Sequence, residues 1–425
     1  MGHGHDLHES IRVPPRTQRL LLAALSPFFV ATLIGLVVLW PGGKKLDLRQ
    51  SGFGTKELKA SVARVAQQEC PGVPGQESFT CARVTVELAE GSDAGETFSF
   101  DYSTGRRTRV IEQGDVVIVG TSDQPQEGIA GQPPPPKYFF LDFDRRVPLV
   151  WLGLFFSVVV IALSRWRGLA ALAGLAISLL VIIKFILPAI LQGSDPLSVA
   201  IVGGAVIMFL ALYLAHGFNA ATTTAVLGTL AALFLTGALA LFFVNVSIFT
   251  GAGSEEAAFL QITQQQVNLQ GLLLASIIIG TLGVLDDVTV TQASAVWELQ
   301  KANPEYGIRN LYSAAIRIGR DHIASTVNTL VLAYAGASLP LLILFSVSNR
   351  ALSQVLNTET LAEEIVRTLV GSIGLVASVP ITTGLAAVVV TSAKRDQRKA
   401  KTVKNKADAT DYSIPRWERD FWDES

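Results

Sequence analysis

The chain has 425 residues, half of them hydrophobic and only 16% charged, with a formal net charge of −1. A mean hydropathy of +0.42 excludes an ordinary soluble globular protein. Five histidines and two cysteines are too few for a recurrent metal-ligand framework, and no nucleotide-binding, triad or zinc-protease signature occurs, so neither a cofactor nor an enzymatic activity is expected.

Residues 1–19 read as a polar, disordered cytoplasmic tail. His3, His5 and His8 in it, beside Asp6 and Glu9, are metal candidates of the adventitious kind that flexible histidine-bearing tails offer. Residues 20–40 form an apolar run behind Arg12, Arg16 and Arg19, too long for a signal-peptide core, and read as a retained transmembrane anchor. Residues 41–146 change composition and predict an extracytoplasmic β-rich domain, a small barrel or sandwich of the kind that binds oligonucleotides or oligosaccharides. Thr55 to Glu69 predicts a short amphipathic helix; strands are expected at 82–88, 96–102, 108–111 and 115–119, and Gln132 to Pro136 is a stiff connector. Both cysteines, Cys70 and Cys81, fall here. A disulfide between them would close a loop of about ten residues and contribute about 2–3 kcal/mol; two free thiols are the alternative.

Residues 147–393 predict a seven-helix membrane domain, with spans near 148–166, 168–191, 197–216, 222–246, 269–290, 323–346 and 365–392. With the anchor this makes an α-helical polytopic membrane protein of about eight transmembrane helices. Arg165, Arg167, Lys301, Arg309, Arg317 and Arg320 lie in alternate connections, and 394–425 is a basic tail, so the positive-inside rule makes both termini cytoplasmic. The tail is expected to touch anionic lipid headgroups, and nothing in the chain points to nucleic acid.

The stretch from Gly280 to Glu298 carries the chemistry. At helical spacing Gly280, Gly283, Asp287, Thr291, Ser294 and Glu298 share one small, polar face, while Asp286 shares the greasier face of Leu282, Val290, Ala293 and Trp297. Small residues permit close helix approach, so the first face is expected to turn Asp287 into protein rather than lipid. The bland alternative is that both carboxylates mark the point where the helix leaves the cytoplasmic face. Residues 280–291 align without gaps to 371–382, pairing Asp287 with Ser378 and Gly280 and Gly283 with Gly371 and Gly374; a parallel repeat and a chance likeness between apolar helices are both open.

Arg165-Trp166-Arg167-Gly168, Leu187 to Gly193, Gly280 to Glu298, Asn328 to Gly336, and Glu364 to Gly374 with Pro380 resemble the YibE/F-like family of bacterial multi-spanning membrane proteins over about 140–395. The resemblance implies a bacterial cytoplasmic (plasma) membrane protein. It puts the family's Gly, Gly and Asp on Gly280, Gly283 and Asp287, with Asp286 a departure from the usual apolar residue. It implies no activity. Two classes therefore stand. One is a transporter or channel for a small solute or ion, with Asp287, Asp286, Thr291, Asn328, Tyr334, Ser378 and Thr382 as candidate binding groups near Pro340 and Pro380. The other is a non-transporting scaffold, a homo-oligomer or one that presents its outer domain to cell-envelope partners, with Gly280, Gly283, Gly371 and Gly374 packing helices. His216 and His322, at helix ends, read as structural, and Lys184 as snorkelling from its span.

Overall fold

The computed structural model describes residues 14–42, 56–70, 79–103, 110–121, 137–264, 266–347 and 350–411. The histidines of the N-terminal tail and the Gln132–Pro136 connector lie outside them. Two compact units emerge, Lys45–Arg165 and Met1–Lys44 with Trp166–Ser425.

The first unit holds five antiparallel strands, β1 (Lys56–Cys70), β2 (Phe79–Leu88), β3 (Thr97–Ser103), β4 (Val116–Thr121) and β5 (Tyr138–Phe143), in the order β3-β2-β1-β4-β5. The helix expected over Thr55–Glu69 is therefore strand β1, at the centre of the sheet. Leu58, Ala60 and Val62 alternate inward, and a bulge between Val62 and Arg64 then resets the phase. The resulting spacing of Leu58, Val62 and Val65 imitates a helical period. The strand expected at 108–111 is loop over its described residues, with Ile111 buried as its anchor. The sheet curls into a half-barrel, since Phe98 of β3 stacks on Tyr138 of β5 at 5.3 Å and Phe100 on Phe140 at 5.1 Å. Asp93, in the β2–β3 turn, ties the curl. Its carboxylate accepts from Lys137 Nζ at 2.5 Å and from the Tyr138 hydroxyl, and these donors, Lys137 foremost, hold it down at about 2. Register sets Cys70 opposite Phe79 and Cys81 opposite Gln68, so the two cysteines stand diagonally on adjacent strands.

The helices are α1 (Pro15–Val38), α2 (Arg146–Val181), α3 (Leu187–Leu191), α4 (Pro196–His216), α5 (Ala220–Val246), α6 (Glu255–Thr263), α7 (Leu269–Ala302), α8 (Ile308–Ala337), α9 (Leu339–Val347), α10 (Leu352–Leu356) and α11 (Glu359–Asp411). α2 crosses from one unit to the other through a non-helical residue, Arg165 (φ 52°, ψ −129°). It joins α3 through a π-turn at Ile182–Ile186. Pro188 explains that turn, because it offers no N–H and crowds the carbonyl of Lys184 four residues back. Pro340 likewise sits just past the 63° bend between α8 and α9, whereas α11 runs through Pro380 unbroken.

Among the described residues six helices are long and apolar enough to cross a membrane, or seven if the bent α8–α9 pair is one span. The eight expected crossings would need the 46-residue run Arg146–Leu191, counted once here, to divide at Arg165. Large apolar side chains such as Leu163 and Trp166, 86% and 83% exposed, cover these helices and suggest a membrane protein.

The interior of the helical unit is the triple contact of α5, α7 and α11. Threonines there enter glycine notches. Thr382 of α11 fills Gly228 of α5, Thr236 of α5 fills Gly374 of α11, and Thr281 of α7 fills Gly371. Each glycine lets a backbone approach that a Cβ would block. Gln292 of α7, 3% exposed, donates to the Ala315 carbonyl at 2.9 Å and the Thr383 hydroxyl at 2.7 Å, joining α7 to α8 and α11.

Candidate functional site

α7 presents two faces. Leu285, Val288, Thr289 and Gln292 are buried against the rest of the bundle. The small face of Gly280, Gly283, Asp287, Thr291, Ser294 and Glu298 is exposed along its length. It was expected to point into protein, and the reversal has a physical reason. The bulkier Ile278, Leu285 and Val288 supply the volume that fills a helix interface, and Thr281 of α7 enters the Gly371 notch of α11. Gly283 has no neighbour within 4 Å of an added Cβ.

Beside the open face lies a cavity of about 470 Å³ between α2, α4 and α7. It extends along α4 from Ile207 to His216, nine residues or about 14 Å of helix. Its walls are apolar except for Ser178, His216, Asp286, Asp287 and Thr291. Asp286 is half-buried, its Oδ1 sealed from solvent and the Thr229 hydroxyl of α5 beside its carboxylate. One turn away Thr289 and Thr229 share a hydrogen bond of 2.6 Å. Thr229 stands nine residues into α5, about 14 Å along its axis, so the carboxylates are level with the body of the bundle rather than with its end. His216 is within electrostatic reach of both Arg167 and Asp287. Among the described residues no three His, Cys, Asp or Glu side chains group as for a metal ion.

The other candidates stand apart from this cavity. Ser378 and Thr382 are fully buried in the α5–α7–α11 contact, where Ser378 donates to the Leu375 carbonyl at 2.7 Å. Asn328 is exposed on α8. Tyr334 lines a second cavity, of about 250 Å³, with Glu364, which pairs with Arg367 at 2.5 Å. Its hydroxyl lies 3.1 Å from a Cβ built on Gly280. The stretches 280–291 and 371–382 thus differ in environment, for Gly371, Gly374, Ser378 and Thr382 are buried where their counterparts on α7 are open.

A family model for YibE/F-like protein matches residues 152–392, more than half of the chain. The chain belongs to the YibE/F-like family. No curated protein and no solved structure matches it. The YibE/F-like region contains every wall of the carboxylate cavity. Sequence reasoning read His216 as structural and did not single out Ser178. No spacing connects them with α7, and the one signal available was that each is a polar residue on a helix otherwise almost wholly apolar.

Proposed function

We propose that this YibE/F-like protein moves a small solute or ion across the bacterial cytoplasmic membrane, with Asp286 and Asp287 as its binding carboxylates. The observation that carries the reading is the pair of carboxylates, Asp286 and Asp287, on the wall of a roomy and otherwise mostly apolar cavity that no lysine or arginine lines. A carboxylate in an apolar bundle costs free energy, and such groups commonly serve as ion, proton or substrate sites. The arginine and lysine asymmetry supports cytoplasmic termini and an outer half-barrel. Eight crossings are supported by the length of Arg146–Leu191, about 69 Å as helix against about 30 Å of hydrocarbon. A Cys70–Cys81 disulfide is compatible with their diagonal register. The basic segment after Ala393 would rest on anionic headgroups.

The test is ion and proton flux in liposomes across an imposed potential. Asp286→Asn keeps shape and removes charge, so the flux of the parent should fall or lose its pH dependence, with Asp287→Asn the weaker of the two. If both variants match the parent in every flux it shows, transport through these carboxylates is wrong. The protein is then a scaffold that presents its outer domain.

A further inference from the structure

We infer that the cavity among α2, α4 and α7 takes a small organic ammonium ion, its nitrogen on the Asp286 and Asp287 carboxylates and its carbon body against the apolar walls. The inference rests on the reading of this cavity as a transport site.

Charge gives the sign of the ligand. Asp286 and Asp287 line the cavity, no lysine or arginine does, and His216 is the one other titratable wall residue. Size and wall chemistry give its class. The volume of about 470 Å³ would hold on the order of fifteen waters, far more than a bare ion needs. A hydrated inorganic ion would set its water shell against Leu175, Ile182, Ile207, Leu212, Ile279 and Leu282. A divalent metal ion favours roughly six or more oxygen donors in a close cage, and among the described residues the two carboxylates gather no third His, Cys, Asp or Glu. An alkylammonium satisfies both sides of the cavity. Its N–H groups donate to the Asp286 and Asp287 carboxylates, and its alkyl chain covers apolar wall. Such a group can arrive as a free amine or as the headgroup of an aminophospholipid.

Full-length protein in phosphatidylglycerol nanodiscs, which contain no amine, is titrated with ethylammonium, butylammonium, potassium or magnesium chloride at constant ionic strength while its melting temperature is followed. The alkylammonium salts should raise it at lower concentrations than the inorganic salts. Asp286→Asn should need about tenfold more amine or worse, the equivalent of a hydrogen bond to a charged partner. Asp287→Asn serves as second variant should the first not fold. Adding phosphatidylethanolamine separates the sources, because a headgroup ligand will protect by itself and blunt the amine response, while a free-amine site will ignore it. Equal protection by potassium or magnesium, or an unchanged amine response in the folded variants, overturns the inference. Amine protection without any flux overturns transport and leaves this site standing. Flux in the parent that amines neither compete with nor accompany does the reverse.

Discussion

The glycine notches of the helical unit make a sharp quantitative prediction. Gly374→Ala builds a Cβ against Thr236, closest to its hydroxyl oxygen and 3.1 Å from its Cβ and 3.4 Å from its Cγ2. Thr236 is β-branched, and its hydroxyl donates to the Ala232 carbonyl at 2.8 Å, so it has little freedom to swing aside. Gly283→Ala is the matched control on α7, where nothing lies within 4 Å. Both changes gain the same helix propensity, about 1 kcal/mol, which cancels in their difference. What remains is overpacking at position 374, about 1–3 kcal/mol. Unfolding of full-length protein in mixed micelles, driven by rising dodecyl sulfate, should therefore show Gly374→Ala less stable than Gly283→Ala by that amount. Adding Thr236→Ala to Gly374→Ala should recover a good part of the loss, because it removes the two outer atoms of the clash. Equal stability of the two glycine variants, or a double variant no better than Gly374→Ala, would refute the interlock.

The half-barrel makes an acid-side prediction. The lowered Asp93 carboxyl adds stability that is fully present above its ordinary value near 4 and is lost as pH falls through about 2, so near-ultraviolet melting should decline over that window in the parent and stay flatter in Asp93→Asn. Reducing agent should slow the outer domain on a non-reducing gel, and full maleimide reaction of both Cys70 and Cys81 in freshly isolated protein would exclude their disulfide. In a cysteine-free background a cysteine at Ser51 should label from outside intact cells and one at Ser425 only after permeabilisation. Labelling of both from outside would break the orientation.

Much of the fold is legible in the sequence because apolar length is a direct signal. Leu20–Trp40, the runs ending at His216 and Val246, and the stretch after Leu269 are helices where hydropathy sets them. β1 is not legible, because a single bulge between Val62 and Arg64 turns a strand's period into a helix's. The pairing of Gly280, Gly283, Asp287 and Thr291 on one face is legible, but which side of α7 is covered is not. In water an apolar face must be buried, whereas among apolar helices in lipid both sides can be greasy, and a helical wheel ranks faces without assigning neighbours. The cavity was beyond reach for a plainer reason. Asp286 meets the walls of α2 and α4 only after the chain between residues 174 and 286 has folded back on itself.

The two reciprocal notches between α5 and α11 also constrain how the molecule can move. Gly228 and Thr236 are eight residues apart, as are Gly374 and Thr382, and the helices run antiparallel. A slide of one helical turn, about 5.4 Å, would unseat both threonines at once and drive them into side chains instead of notches. The α5–α11 pair is thus pinned at two points, like a ruler held by two nails, and behaves as a stator. The second part of α2 is its opposite. It is bounded by the break at Arg165 and the π-turn at Ile182, and only Gly168 and Gly174 along it are buried. Of the three helices that wall the carboxylate cavity, that segment is the one held by the fewest buried residues.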